Sequence, residues 1–225
     1  MAPLLGTNCY VVSDRSDRCV VVDPGGGVFE AVRRAVTESR STPTAVLITH
    51  GHLDHTWDAA QVSAEYSIPV LIHAEDEYRL DDPIGTLGPL GGQIAEMAGV
   101  ASGPPRPGLV EAFAAGDDGV VELGHVLGAP EGPRLTGMHA PGHTEGSTVF
   151  LLTGRDGPDV ALTGDVLFAG SIGRMDLRGG DPSAMEATMR RLARLSPETE
   201  VLPGHGPAST IAAELADNPY LRAAR

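Results

Sequence analysis

Lysine is absent from the 225-residue chain, so every side-chain cation of fixed charge is an arginine. That excludes Schiff-base chemistry on a lysine and a phosphate-loop lysine. Basic residues are scarce altogether: 16 stand against 30 acidic ones, for a net charge of -14. A phosphate backbone needs clustered positive charge, so no nucleic-acid partner is expected. Aromatics make up 4% of the chain, which leaves little to stack on bases. No apolar run approaches a membrane span, and the N-terminus lacks a basic segment followed by an apolar stretch. The expectation is a cytoplasmic protein that acts on a small molecule and does not engage a membrane. Cysteine is limited to Cys9 and Cys19. They flank the turn-like Asp14-Arg15-Ser16-Asp17 and could face each other across a hairpin, but two reduced thiols are the expected state.

What is present suits an ordinary globular core. Hydrophobic residues reach 41%, and the length fits a single domain spanning 1–225. Strands are expected at 8–12 and 18–23, the second rich in β-branched residues. Pro24-Gly25-Gly26-Gly27 then leads into a helix over 28–38, where Val28, Ala31, Val32, Ala35 and Val36 recur at helical spacing. A short apolar strand at 44–49 reads as buried on both faces. A helix at 58–66 and a strand at 68–73 follow. Residues 75–115, with Gly and Pro clustered at 83–92 and 103–108, are expected to form an irregular covering region with one helix near 93–99. Strands resume at 120–123, 134–139, 147–152 and 159–162. A helix at 182–195, a short strand at Val201 and Leu202, and a closing helix from about Ser209 complete an α/β layered pattern.

The strongest chemical signal is Thr49-His50-Gly51-His52-Leu53-Asp54-His55, at the end of the 44–49 strand. Three imidazoles and a carboxylate within six positions repel or desolvate one another unless a cation organises them, and they suit zinc, iron or manganese. Just after a buried strand, His50 and His52 alternate and can point to one ion. Asp54 and His55, in the turn into the next helix, can face a neighbouring one. Three further segments place a ligand type beside glycine at a strand end: Pro141-Gly142-His143, Thr163-Gly164-Asp165 and Pro203-Gly204-His205. Together they supply seven ligands, enough for two cations sharing one carboxylate. His73, His125 and His139 are read as structural or supporting. Asp23, beside Pro24 and Gly25, is a candidate to orient one of the ligating histidines.

These motifs, with Gly6-Thr7-Asn8, Val22-Asp23-Pro24-Gly25 and Asn218-Pro219-Tyr220-Leu221, resemble the metallo-β-lactamase superfamily, and within it the glyoxalase II-like, or hydroxyacylglutathione hydrolase-like, group. The resemblance covers nearly the whole chain. It implies a four-layer αββα sandwich with two divalent ions at one edge, zinc first and iron or manganese as alternatives. By that pattern His50, His52 and His143 hold the first ion, Asp54, His55 and His205 the second, and Asp165 bridges them. A bridging aspartate is atypical of true β-lactamases, so antibiotic hydrolysis is not expected. The stretch from Gly164 through Phe168, Gly173 and Arg174 to Asp176 is similar to short single-domain members of the group. In classical glyoxalase II a basic residue near the position of Arg174 contacts the thiol carrier, which marks Arg174 for substrate binding; its alternative role is an ion pair with Asp176. Glyoxalase II proper has a C-terminal helical segment with basic residues for glutathione. Here the residues after His205 carry only Arg222 and Arg225, so another thiol carrier stays open.

The implied reaction is hydrolysis of a thioester, such as a 2-hydroxyacyl thiol, by water activated between the cations, with Asp54 and Asp165 as the catalytic carboxylates. A thiolate leaves readily, so no strong general acid is required. A related family, the persulfide dioxygenases, shares the first motif and Gly173-Arg174-Met175-Asp176. It uses one iron at positions matching His50, His143 and Asp165. Retention of Pro203-Gly204-His205-Gly206 favours the hydrolase pattern.

Overall fold

A computed structural model describes residues 1–13, 17–100, 102–127, 133–154 and 157–224. Asp14, Arg15 and Ser16 of the expected turn, and Arg225, lie outside the described residues. Strands β1 (Tyr10–Ser13), β2 (Arg18–Val22), β3 (Thr42–Leu47), β4 (Val70–His73) and β5 (Val110–Phe113) form a sheet in sequence order. Strand β1 is antiparallel to β2, while β2 through β5 run parallel. Parallel neighbours need crossovers, which are supplied by α1 (Phe29–Ser39) and by α2 (Leu53–Thr56) with α3 (Ala59–Tyr66). The register sets Ser13, not Cys9, opposite Cys19, so the two thiols are not joined.

A second sheet begins with β6 (Val120–Glu122), continues after α5 (Gly124–Leu127) with β7 (Arg134–His139), β8 (Thr148–Thr153) and β9 (Val160–Gly164), and is completed beyond a small hairpin. That hairpin is β10 (Leu167–Phe168) with β11 (Ser171–Ile172). Strand β12 (Glu200–Pro203) joins β9 in parallel, and β13 (Ser209–Thr210) closes the edge.

The order of layers follows from side-chain alternation along each strand. Val20, Val22, Ala45, Leu47 and Leu71 point to one face and pack against Leu135, Phe150, Leu152 and Leu162 of the second sheet. Their neighbours Val21, Val46, Ile48, Val70 and Ile72 face the other way, onto Val28, Val32 and Val36 and onto Ala59 and Val62. On the far side, Val149, Ala161 and Val201 meet Met185, Met189, Leu192, Ile211 and Leu215. The result is helix, sheet, sheet, helix: the expected αββα sandwich. Each fully buried Val or Leu contributes about 1.5–3 kcal/mol, so these three clusters carry the hydrophobic stabilisation.

Residues 75–115 are more ordered than their composition suggests. They contain two 3₁₀ turns, Glu77–Leu80 and Gly85–Leu87, then helix α4 (Pro89–Ala98) and the edge strand β5. Strand β5 was not expected because its alternation is poor: Val110 and Phe113 are half-buried while Glu111 and Ala112 are exposed. Backbone pairing with β4 holds it in place. The helix expected at 182–195 ends at Leu192, and the closing helix divides at Asn218-Pro219, where proline cannot supply the next amide hydrogen.

Candidate metal centre

Strands β2, β3 and β4 run the same way in one sheet, as do β7, β9 and β12 in the other, so their carboxyl ends are where the marked residues emerge. His50 and His52 follow β3, Asp54 and His55 sit in α2, His143 follows β7, Asp165 follows β9, and His205 follows β12. All seven converge on one rim.

The first cluster consists of imidazoles alone. His50 Nε2 stands 3.1 Å from His52 Nδ1, and His143 Nε2 stands 3.2 Å and 2.9 Å from those two atoms. Nitrogens bound tetrahedrally to zinc at about 2.0–2.1 Å are themselves roughly 3.3 Å apart, so the triangle has the right dimensions. The outer nitrogens fix the tautomers. His143 Nδ1–H donates to the Arg174 carbonyl at 2.7 Å. The Thr49 hydroxyl spends its proton on Asp23 Oδ2, so His50 Nδ1, 3.2 Å from that hydroxyl oxygen, is the donor to it. Both rings therefore turn a lone pair inward. Burial, followed by the neighbouring rings and Arg79, pushes His50 and His52 well below the usual imidazole range, although Asp54 partly opposes this at His52. They stand neutral, as ligands must.

The second cluster is anionic. His205 Nε2 lies 3.0 Å from Asp54 Oδ2, and His55 Nε2 lies 3.5 Å from the same oxygen. Asp165 sits between the two groups: Oδ1 is 3.3 Å from His55 Nε2, and Oδ2 is 3.6 Å from His205 Nε2 and 3.8 Å from His143 Nε2. Burial alone would depress the His55 imidazole, but Asp54, Asp165 and Asp23 hold it well above its usual value. His205 is likewise raised against burial by its bond to Asp54 and by Asp165. An environment that favours a proton this strongly favours any cation.

The donor set fits divalent ions. His55 Nε2, His52 Nε2 and Asp165 Oδ1 are buried without a hydrogen-bond partner among the described residues, and two of these three atoms face the cluster. Unpaired buried polar atoms are costly, and a cation between them removes the cost. Backbone also makes room. A Cβ on Gly204 would stand 2.4 Å from Asp165 Oδ1 and 2.6 Å from His55 Cε1, so only glycine allows this approach.

Several supports hold the ligands in place. Asp23 Oδ2 accepts His55 Nδ1–H at 2.9 Å, and Oδ1 accepts the Thr49 amide at 2.8 Å, which gives Asp23 the orienting place expected for it. The Thr7 hydroxyl reaches Asp54 Oδ2 at 3.2 Å, and Asn8 Nδ2 donates to the carbonyls of Pro203 and Gly206 on either side of His205. Asp76 and Arg79 are fully buried beside the first cluster and were not anticipated. Arg174 is the one marked residue whose side chain is not in the cluster. Its guanidinium is half-exposed and paired with Asp176 through two 2.7 Å bonds, while its carbonyl serves His143.

His73, Glu75 and His139 also gather ligand-type atoms, but the nitrogens are engaged. Glu75 N–H donates to His73 Nδ1 at 3.3 Å, His139 Nε2 lies 2.8 Å from the Glu145 carbonyl, and the two rings stack at 4.1 Å. His125 is exposed on α5.

The family model of the metallo-beta-lactamase superfamily matches residues 2–205. An uncharacterized protein of Mycobacterium tuberculosis is 41% identical over 98% of this chain and 95% of its own length. The probable metallo-hydrolase YqgX of Bacillus subtilis is 30% identical over 98% and 94%. Hydroxyacylglutathione hydrolase GloC of Haemophilus influenzae is 29% identical over 95% and 92%. Among solved structures, BLEG-1, described as a B3 metallo-beta-lactamase, superposes with a TM-score of 0.76 at 31% identity, covering 98% of this chain and 96% of that one. TTHA1623, solved in a di-iron-bound form, gives 0.75 at 31%, covering 98% and 97%. ETHE1 from Myxococcus xanthus, at 23% identity and a TM-score of 0.68 over 96% and 80%, shares the fold.

Proposed function

Because this chain belongs to the metallo-beta-lactamase superfamily, we propose that it is a hydrolase that uses two divalent cations to cleave a thioester, such as a 2-hydroxyacyl thiol. The observation that carries the reading is the position of Asp165 between two ligand clusters: its oxygens lie 3.3 Å from His55 and 3.6 Å from His205 of the second, and 3.8 Å from His143 of the first. His50, His52 and His143 would hold one ion and Asp54, His55 and His205 the other, with Asp165 shared. Bound there, such ions supply Lewis acidity and lower the pKa of water toward neutrality.

The chain's own residues do the positioning. Asp54, held by Thr7 and His205, places a carboxylate oxygen at the rim, where it can orient an attacking water and accept its proton. Asp23 and the Arg174 carbonyl fix two ring orientations, so little reorganisation is needed as charge develops. The Arg174–Asp176 pair is exposed, where solvent screening leaves such a pair weak. The guanidinium is thus free to exchange Asp176 for a carboxylate on the thiol carrier, which is the substrate-binding role we give it. GloC supports the thioester class, as a hydroxyacylglutathione hydrolase covered almost end to end. The second cluster, complete with His205 against Asp54, supports two cations over one.

Metal analysis of the purified protein, paired with assays of thiol release and oxygen uptake, tests this. Two ions per chain, with thioester cleavage and no oxygen consumption, is the expected result. One iron per chain with persulfide-dependent oxygen uptake would overturn it, and so would β-lactam turnover without thioesterase activity.

A further inference from the structure

The carboxylate of Asp76 belongs to neither ligand cluster, yet it is bonded to both segments that deliver the three imidazoles. The Gly51 amide, between His50 and His52, donates to Asp76 Oδ2 at 2.8 Å. The hydroxyl of Thr144, next to His143, donates to the same oxygen at 2.7 Å. Oδ1 accepts the Gly146 amide at 3.0 Å and Arg79 Nε at 3.1 Å. Asp76 and Arg79 are both 0% exposed. The far side of the guanidinium continues to Glu145 and to the Arg178 carbonyl, binding in the stretch whose Arg174 carbonyl holds His143. The loop lies flush against this pair: a Cβ on Gly51 would stand 2.7 Å from Arg79 Cδ and 2.9 Å from the Asp76 carbonyl.

The other cluster has a different holder. Asp23 is bonded directly to His55 and, through the Thr49 hydroxyl to which His50 Nδ1 donates, it also touches the first cluster, but none of the hydrogen bonds described for it reaches residues 143–146. None of those described for Asp76 reaches α2, Asp165 or His205. We infer that Asp76 is a positioning residue, a buried anchor that presets the His50–His52–His143 triangle and no part of the second cluster. Loss of Asp76 then disables one subsite and spares the other. The inference rests on the two-cation reading above. Its physical basis is that an imidazole ligates only when its ring is aimed, and a carboxylate that collects one donor from each of two loops fixes their separation.

Cobalt(II) titrated into the full-length, chelator-stripped protein, followed by visible absorption and by bound metal after dialysis, reads each subsite. Wild type should take up two tight equivalents. Asp76→Asn should keep one and bind the other about 10–100-fold more weakly, the usual effect of losing an outer partner. Asp23→Asn, which loosens His55 directly and His50 through Thr49, should weaken both equivalents, so the two variants lose metal differently. Because Asp76→Asn removes one of the two carboxylates paired with the buried Arg79 and could prevent folding, Thr144→Val provides a second route. It removes the hydroxyl's bonds to Asp76 and Ser147 but leaves Arg79 paired, so it should show the same one-sited loss, to a smaller degree, in a protein that still unfolds cooperatively. A wild type with no tight equivalents would refute the two-cation reading. Two equivalents in wild type with equal loss at both subsites, or at neither, in Asp76→Asn and Thr144→Val would refute the anchoring role.

Discussion

At the scale of single residues, the centre depends on a few atoms whose alternatives are poor. Asp165 is the clearest case. It follows β9 and turns one oxygen toward His55 and the other toward His205 and His143, so no other carboxylate among the described residues has the same reach. Asp165→Ala should therefore lower the content of both ions together and reduce kcat/KM by more than about 100-fold, beyond what losing an outer partner costs. Metal analysis alongside the thioester assay measures both, and a variant with full metal and full turnover would remove Asp165 from the shared position. The residues around it explain how such a crowded site stays ordered: Thr49, Asp23, Thr7 and Asn8 each take one orientation away from a ligand or its loop.

At the scale of elements, the covering segment differs from the sandwich it sits on. The helix Pro89–Ala98 and the preceding 3₁₀ turn bury only Leu87 and Ile94 against Leu53, with Leu5, Trp57, Ile84, Leu90 and Leu177 half-buried around them. This small cluster is separate from the three that hold the sheets, and Leu53 lies between the marked residues His52 and Asp54. Local opening should cost much less here than opening a sheet. Ile94→Ala should raise amide exchange across residues 85–98 while leaving β3, β8 and β9 near wild-type protection. Exchange measured by mass spectrometry would show this, and a uniform rise in every element would mean that the segment unfolds only with the whole.

At the scale of the whole molecule, acid should loosen the seam between the sheets. His73 ends β4 in one sheet, His139 ends β7 in the other, and their rings stack at 4.1 Å across the rim. Burial, then the neighbouring His139, pushes His73 from 6.5 down to about 4 against an opposing effect of Asp76. The folded protein thus keeps His73 neutral where the unfolded chain protonates it. Between pH 6.5 and about 4 the unfolded state binds the extra proton, so stability falls as pH drops through that window. In the chelator-stripped protein, His73→Phe should reduce the slope of unfolding free energy against pH there by about one proton, measured by urea titration at several pH values. An unchanged slope would show that His73 does not titrate with folding. No helix among the described residues is long and apolar enough to cross a membrane.

Much of this protein is written locally. The run from His50 to His55 and the three glycine-flanked ligands were legible because chemistry and spacing coincide within a few residues, and the four layers were legible because alternation along each strand assigns its two faces. Strand β5 was not, since two of its four side chains lie in solvent and backbone pairing alone defines it. Which aspartates brace which histidines, and whether Cys9 meets Cys19, were settled only by tertiary structure. Those contacts join residues far apart in sequence, 68 positions for Thr144 and Asp76 and 151 for His205 and Asp54, or depend on the register of a strand pair. Local sequence specifies what a side chain can bind, and packing of distant segments specifies what comes within reach.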